Sequence, residues 1–384
     1  MSYSQTLAMA AKARELRAQG HDVISLSVGE PDFTPPEFVL DAAKKAIDGG
    51  HHYYTPVSGY LGLREAICKK FQRDNELCYT PSQIVVSTGG KQSIINVLLA
   101  LLNPGDELII PAPYWVSYYE MAKLCEGVPL VIPTGIETDF KIRSEQLEKA
   151  LTPKTRAFIF SSPCNPSGSV YSRNELKALV KVFRKHPDVI IISDEIYEHI
   201  HYAGTHTSIA SFPEMYEQTV TLNGLSKAFA MTGWRIGYIG APEWLAKSCD
   251  KVQGQTTSGP NAIAQCAAIT ALEASPEHIK YMIKAFENRR DLILRLLANQ
   301  TGFRANVPQG AFYVFPNVSD LFGKTFSNRL IRNSDDLAMF LLDKAHVATV
   351  GGAPFGDENC LRISYAVSEE KLKEAFQRIK YALM

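Results

Sequence analysis

The stretch NGLSKAFAMTGWRIGY at 223–238 sets Lys227 just after one β-rich run and Arg235 eight residues later, leading into another. Around the lysine stand Gly, Ser, Ala and Phe, small or apolar residues able to strip water from the amine. Desolvation lowers an ammonium pKa and frees a nucleophile suited to an aldehyde. A lone lysine near a strand end also reads as an ordinary solvated group. In SDEIYEHI (193–200), Asp194 closes an apolar strand and Tyr197 follows three residues on. A carboxylate at the C-terminal end of a parallel strand faces the crevice where α/β folds bind ligands. Read structurally, Asp194 is a helix cap or loop acid. Read chemically, it keeps a pyridine nitrogen protonated while Tyr197 hydrogen-bonds the phenolic oxygen of the same ring, an arrangement that lets the ring accept carbanion charge.

Two further segments fit the same ring. SSPCNPSGSVY (161–171) carries Asn165 in a loop after a strand, placed to donate to the ring oxygen opposite Tyr197, although N-P and P-S-G are also plain turn chemistry. VSTGGKQSIINVLLALL (85–102) reads as strand, paired glycines and a helix whose first amides suit a phosphate dianion. It lacks the spacing of a P-loop or a dinucleotide fingerprint.

Positioning these groups requires a sheet. The runs 83–88, 107–111, 128–133, 157–162, 189–193, 219–224 and 234–240 alternate with helical patterns, as βαβ units around a mainly parallel sheet do, and several are apolar throughout, as strands buried on both faces should be. Ser172 with Glu175 predicts a capping box, and Thr34, Pro35, Pro36 and Glu37 predict a capped helix start with early prolines. These segments predict a large domain over 40–275. Beyond it, a long helix at 277–299, an AFYVFP strand, a loop-rich stretch near 317–333 and a terminal amphipathic helix predict a smaller α+β domain. The segment 1–39 is expected to join it, making that domain discontinuous.

The chain has 384 residues and balances 40 basic against 40 acidic side chains, so total charge favours neither nucleic acid nor an anionic membrane. A small-molecule partner is expected. Seven cysteines without a C-x-x-C pair argue against a disulfide framework or a structural zinc site and point to the reducing cytoplasm. No apolar run approaches the roughly 18 residues of a membrane helix, and the opening stretch LAMAAKARELRAQG does not read as an export signal.

Taken in chain order, the four chemical segments make the sequence resemble the class I/II aminotransferases of the fold-type I pyridoxal-phosphate enzymes. The resemblance runs from SVGEPDF (27–33) through YYTPVSGYLGLREAI (53–67) and PAPYWVSYYE (111–120) to CLRISYAVS (360–368). Within the family the chain looks most like the bacterial aspartate aminotransferases that share GGKQ, PYWVSY and SKAFAMTGWR. The resemblance implies pyridoxal 5'-phosphate held as a Schiff base on Lys227, which then shuttles the substrate proton. It implies Asp194 on the pyridinium, Tyr197 and Asn165 on the ring oxygen, and Arg235 with the amides of Gly90 and Lys91 on the phosphate. Trp115 would stack on the ring, Arg362 would grip the substrate α-carboxylate, and Gly29 would sit on a mobile N-terminal segment that closes over substrate. Tyr54 would reach the phosphate of a neighbouring subunit, implying a homodimer with shared sites. Lys91 is expected to read the distal carboxylate of an acidic amino acid.

Two departures stand out. Gly224 occupies the position three before the lysine where some relatives carry Ser, so the phosphate cup is expected to lean on Arg235, Tyr54 and backbone donors. The chain also starts only about six residues before its first helical pattern, so an N-terminal arm contact with a partner is not expected.

The expected reaction is ping-pong transfer of an amino group from aspartate to 2-oxoglutarate. Prephenate or broader aromatic and alanine acceptance, and a lyase reaction on the same scaffold, are the alternatives, since cofactor residues do not decide which Cα bond breaks. Thr34-Pro35, where prephenate-using relatives often read Asp-Thr, weighs against prephenate. His199, His201 and His206 lack a completing ligand pattern and are expected in a solvated loop. GGAPFG (351–356) is expected as a turn near the substrate mouth, and Cys164 lacks a visible His–acid relay.

Overall fold

Apolar strand runs of this kind call for cover on both faces, which the central strands have and the edge strand Val128–Pro133, with no fully buried residue, does not. In the computed structural model, which describes residues 5–384 and leaves residues 1–4 of the expected 1–39 segment outside the described residues, seven strands form one sheet. Their order is Ile84–Thr88, Ile236–Gly240, Thr219–Gly224, Ile190–Asp194, Thr155–Ser161, Glu107–Ala112 and Val128–Pro133. Ile236–Gly240 pairs antiparallel with both neighbours, and every other pairing is parallel. Alternation along a strand divides its residues between two cores. Ile84 and Val86 pack with Leu63, Ile67 and Phe71 on one face, while Val85 packs with Ile94, Val97 and Leu98 on the other. The helices supplying those partners are Leu61–Asn75 and Gly90–Leu101.

The remaining strands are short. Val350–Gly351, Leu361–Ser364 and Tyr313–Val314 form an antiparallel sheet, and Ile24–Ser25 pairs in parallel with Val347–Ala348. Helices Lys280–Ala298, Ser334–Ala345 and Glu369–Ala382 lie in this part of the chain. Among the described residues no helix is long and apolar enough to cross a membrane.

Local expectations met different fates. Ser172 accepts from the Glu175 amide in the capping box read from the sequence. The Thr34 cap does not form: the helix Glu37–Asp48 starts after an extended Pro36 with no side-chain cap, because both prolines precede the first turn and leave the hydroxyl too far upstream. AFYVFP shortens to Tyr313–Val314, since Ala311 takes a left-handed φ of 57° and Pro316 has no amide to pair. The 277–299 helix opens instead as a tight turn, Pro276–Ile279, capped by Ser275, before the α-helix proper.

The histidine-rich stretch is not a solvated loop. His206 meets Glu195 at 2.9 Å and His199 meets Asp74 at 3.2 Å, with none of these four side chains more than 16 % exposed to solvent. Lys70, fully buried, ion-pairs with Glu198 and donates to Asn75 at 2.7 Å. Burial alone would raise Glu198, but Lys70, His199 and His206 outweigh it and hold the carboxyl at about 2. His201 stays near the outer edge of this network, and burial pushes its imidazole down to about 4.

Candidate active site

A cavity of about 260 Å³ opens where the parallel strands end, the place where an α/β sheet offers a crevice. Ten of the eleven residues singled out in the sequence line it: Gly29, Gly90, Lys91, Trp115, Asn165, Asp194, Tyr197, Lys227, Arg235 and Arg362. The eleventh, Tyr54, lies outside the cavity and is 99 % exposed.

Lys227 sits in the turn following Thr219–Gly224, and its Nζ donates to the Gly29 carbonyl at 2.7 Å. Burial lowers its amine to about 8, against the opposing pull of Glu30. Asp194 ends the neighbouring strand; Tyr118 donates to Oδ2 at 2.5 Å and the Ile196 amide donates to Oδ1 at 3.2 Å. Burial still raises this carboxyl to about 6, despite those donors. Tyr197 shares a 2.8 Å hydrogen bond with Tyr313.

Arg362 is 2 % exposed and carries no carboxylate partner among the described residues. It donates to Asn165 Oδ1 at 3.0 Å and to the Ser27 carbonyl at 2.6 Å, its Nε has no acceptor, and the rings of Tyr313 and Phe355 lie 4.8 and 4.9 Å from the guanidinium. Phe355 belongs to the GGAPFG turn, which is thereby placed beneath this arginine. Because Asn165 spends its oxygen on Arg362, its amide nitrogen remains a donor toward the cavity.

The phosphate-like corner depends on close backbone approach. A Cβ on Gly89, which has φ +83°, would fall 2.3 Å from the Arg235 guanidinium, and one on Gly237 would fall 2.2 Å from the Gly90 amide. Arg235 is thus pressed against a helix start whose first amides have no intrahelical acceptor. Lys91 sits 5.0 Å over Trp115, and partial burial together with Arg235 lowers its ammonium. Among the described residues, four cations therefore face one cavity whose only lining carboxylate is Asp194.

Several residues of this site escaped the sequence reading. Tyr118 and Tyr313 are buried phenols touching Asp194 and Tyr197, Thr6 lines the cavity with a buried hydroxyl that has no partner, and Ser226 lines it beside Lys227. Tyr118 falls in PYWVSY, Ser226 in SKAFAMTGWR and Tyr313 in AFYVFP, yet nothing in their spacing tied Tyr118 to Asp194 or Tyr313 to Tyr197. Cys164 is buried and its thiol is pushed up by that burial, the opposite of what a nucleophile needs.

A mainly parallel sheet whose strand ends gather a desolvated lysine, a buried aspartate and an arginine with no carboxylate partner among the described residues agrees with the aminotransferases, and comparison with known proteins fixes the class. Residues 21–379 match the family model "Aminotransferase class I and II", and the chain belongs to that family. It is 49 % identical over 380 residues to the aspartate/prephenate aminotransferase of Cereibacter sphaeroides, covering 98 % of this chain and 95 % of that one. It is 46 % identical to the aspartate aminotransferase of Geobacillus stearothermophilus, with 98 % and 95 % covered. Among solved structures, the aspartate aminotransferase from Rhizobium meliloti superimposes with a TM-score of 0.96 at 43 % identity, covering 100 % of this chain and 96 % of that one.

Proposed function

We propose that this enzyme uses pyridoxal 5'-phosphate on Lys227 to move the amino group of an acidic L-amino acid, aspartate foremost, to 2-oxoglutarate. The observation that carries the reading is the surplus of positive charge: Lys91, Lys227, Arg235 and Arg362 line one cavity with Asp194, and Glu30 nearby is the other carboxylate that acts on Lys227. A buried guanidinium with an unmet Nε is costly unless an anion arrives. A phosphate and two substrate carboxylates would supply such anions.

The residues fit the cofactor. Arg235 and the Gly90 and Lys91 amides suit its phosphate, Asp194 its pyridine nitrogen, Tyr197 and Asn165 its ring oxygen, and Trp115 its face. Bound there, the cofactor supplies an aldehyde that stores the amino group between two half-reactions and a pyridinium that takes up carbanion charge. Lys227 Nζ, lowered to about 8, is poised near neutral pH to take and return the proton at the substrate α-carbon. Arg362 holds the α-carboxylate by its planar fork. Lys91 and the partnerless Thr6 hydroxyl lie on the cavity wall to receive a distal carboxylate.

The same reading includes a homodimer, supported by the nearly full exposure of Tyr54 away from its own cavity. It includes a large unit over 40–275 and a small one over 1–39 with 276–384, supported by the pairing of Ile24–Ser25 with Val347–Ala348. It places the enzyme in the cytoplasm, where seven free cysteines stay reduced. Prephenate is the second reading, favoured by the name of the Cereibacter sphaeroides relative and by the same pair of distal-carboxylate groups. The test is kcat/KM for aspartate, glutamate, prephenate, alanine and phenylalanine in wild type and Lys91→Ala. Losses of roughly 10- to 150-fold confined to dicarboxylates are expected; an equal loss on all substrates would mean Lys91 serves only the phosphate.

A further inference from the structure

Asp194 must remain ionised to hold a proton on the pyridine nitrogen, yet it lies at a buried strand end among apolar residues, an environment that favours the neutral carboxyl. Two donors oppose this: the Ile196 amide, fixed by the backbone, and the Tyr118 hydroxyl. The tyrosine is about 1 % exposed and sits in the first turn of the helix Ser117–Leu124, its amide bonded to the Trp115 carbonyl at 3.0 Å. Its ring meets Trp115 edge-on, with centroids 5.5 Å apart and planes at 88°. One short segment thus supplies both the indole proposed to cover the cofactor ring and the phenol that grips the carboxylate below it.

Resting on the proposed role of Asp194, we propose that Tyr118 is a positioning residue whose hydroxyl, by donating to Asp194 Oδ2, keeps the shared proton on the pyridine nitrogen and off the carboxylate. The direction of donation is settled by chemistry, since an ionised carboxylate only accepts. Burial and the neighbouring carboxylate hold the phenol far above its ordinary value, so it remains a donor at every working pH. Without that donor, Oδ2 becomes the more basic atom of the pair, and the proton moves from ring nitrogen to carboxylate; no other atom changes hands. The Trp115 contact needs only the ring, so Tyr118→Phe separates donation from packing.

The experiment reconstitutes wild type, Tyr118→Phe and Asp194→Ala with cofactor labelled with ¹⁵N at the pyridine position. It reads the nitrogen chemical shift across neutral pH alongside the single-turnover rate with aspartate. Tyr118→Phe is expected to move the signal toward the unprotonated position and slow the half-reaction about ten-fold, with aspartate KM within about two-fold. A wild-type nitrogen signal in Tyr118→Phe, whatever its rate, would reduce Tyr118 to packing and overturn the proposal. If Asp194→Ala also keeps the wild-type signal, the role of Asp194 itself fails, which separates that failure from one confined to Tyr118.

Discussion

Two buried charge clusters lie back to back around the segment 193–201, and they are built on opposite rules. Behind it, Lys70 meets Glu198 and Asn75, His199 meets Asp74, and His206 meets Glu195, so each charge has a partner at hand. In front of it, and among the described residues, Lys227 hydrogen-bonds a carbonyl and has no carboxylate within ion-pair distance, and Arg362 has a carbonyl, an amide oxygen and an idle Nε. Arg289 makes the contrast sharper, because it pairs with Asp32 through two nitrogens at 2.6 and 2.9 Å. Breaking a buried pair by removing one member costs roughly 3–5 kcal/mol, so the first cluster serves the fold. The second leaves its cations without a close ion pair among the described residues, the imbalance on which the proposed anion binding rests.

The contrast predicts which property each lysine controls. Lys227→Ala is expected to lower turnover about 10³-fold or more, with little loss of folding stability. Borohydride reduction and peptide mapping that place the cofactor elsewhere would break this half of the comparison. Lys70→Met should do the reverse, lowering unfolding free energy by about 3–5 kcal/mol in denaturant titrations while kcat per folded molecule stays within about two-fold. Arg362→Leu should cut kcat/KM on the order of 100-fold for aspartate, alanine and phenylalanine alike, since all present an α-carboxylate; selectivity among them would reassign the arginine to the distal group.

The smallest effect is a pH profile. With Lys227 lowered to about 8, the cofactor-free protein gains free amine as pH rises toward that value and little beyond it. The rate of cofactor capture should therefore climb and then level off above about pH 8. A rate still climbing steadily toward the ordinary lysine value near pH 10.4 would show that the amine is not desolvated.

Strands were legible because burial leaves uninterrupted apolar runs, and Asp194, Tyr197, Asn165, Gly90, Lys91, Lys227 and Arg235 stood out beside such runs, whereas Gly29, Trp115 and Arg362 were named through the family resemblance. What the sequence hid depends on tertiary meeting. Lys70 and Asp74, on the helix Leu61–Asn75, turn the histidine-rich stretch into a buried network from more than 120 residues upstream, as the separation of Asn75 from Glu198 illustrates. Tyr118 and Tyr313 sit in segments that were read for other reasons; their importance lies in which oxygen each touches. Thr34 failed as a cap because two prolines held the chain extended until Glu37, a local conflict between cap chemistry and backbone restriction.

The strand Ile24–Ser25 has a consequence for how the protein is made. Its partner is Val347–Ala348, and from Ile24 to Val347 is 347 − 24 = 323 residues. At about 5–20 residues per second, a ribosome needs roughly 16–65 s to deliver the second strand after the first. Ser27 and Gly29, whose carbonyls hold Arg362 and Lys227, lie just beyond the early strand. Until the second strand is made the nascent chain therefore carries the lysine without its final anchor, and the complete pocket exists only after Arg362 has been added.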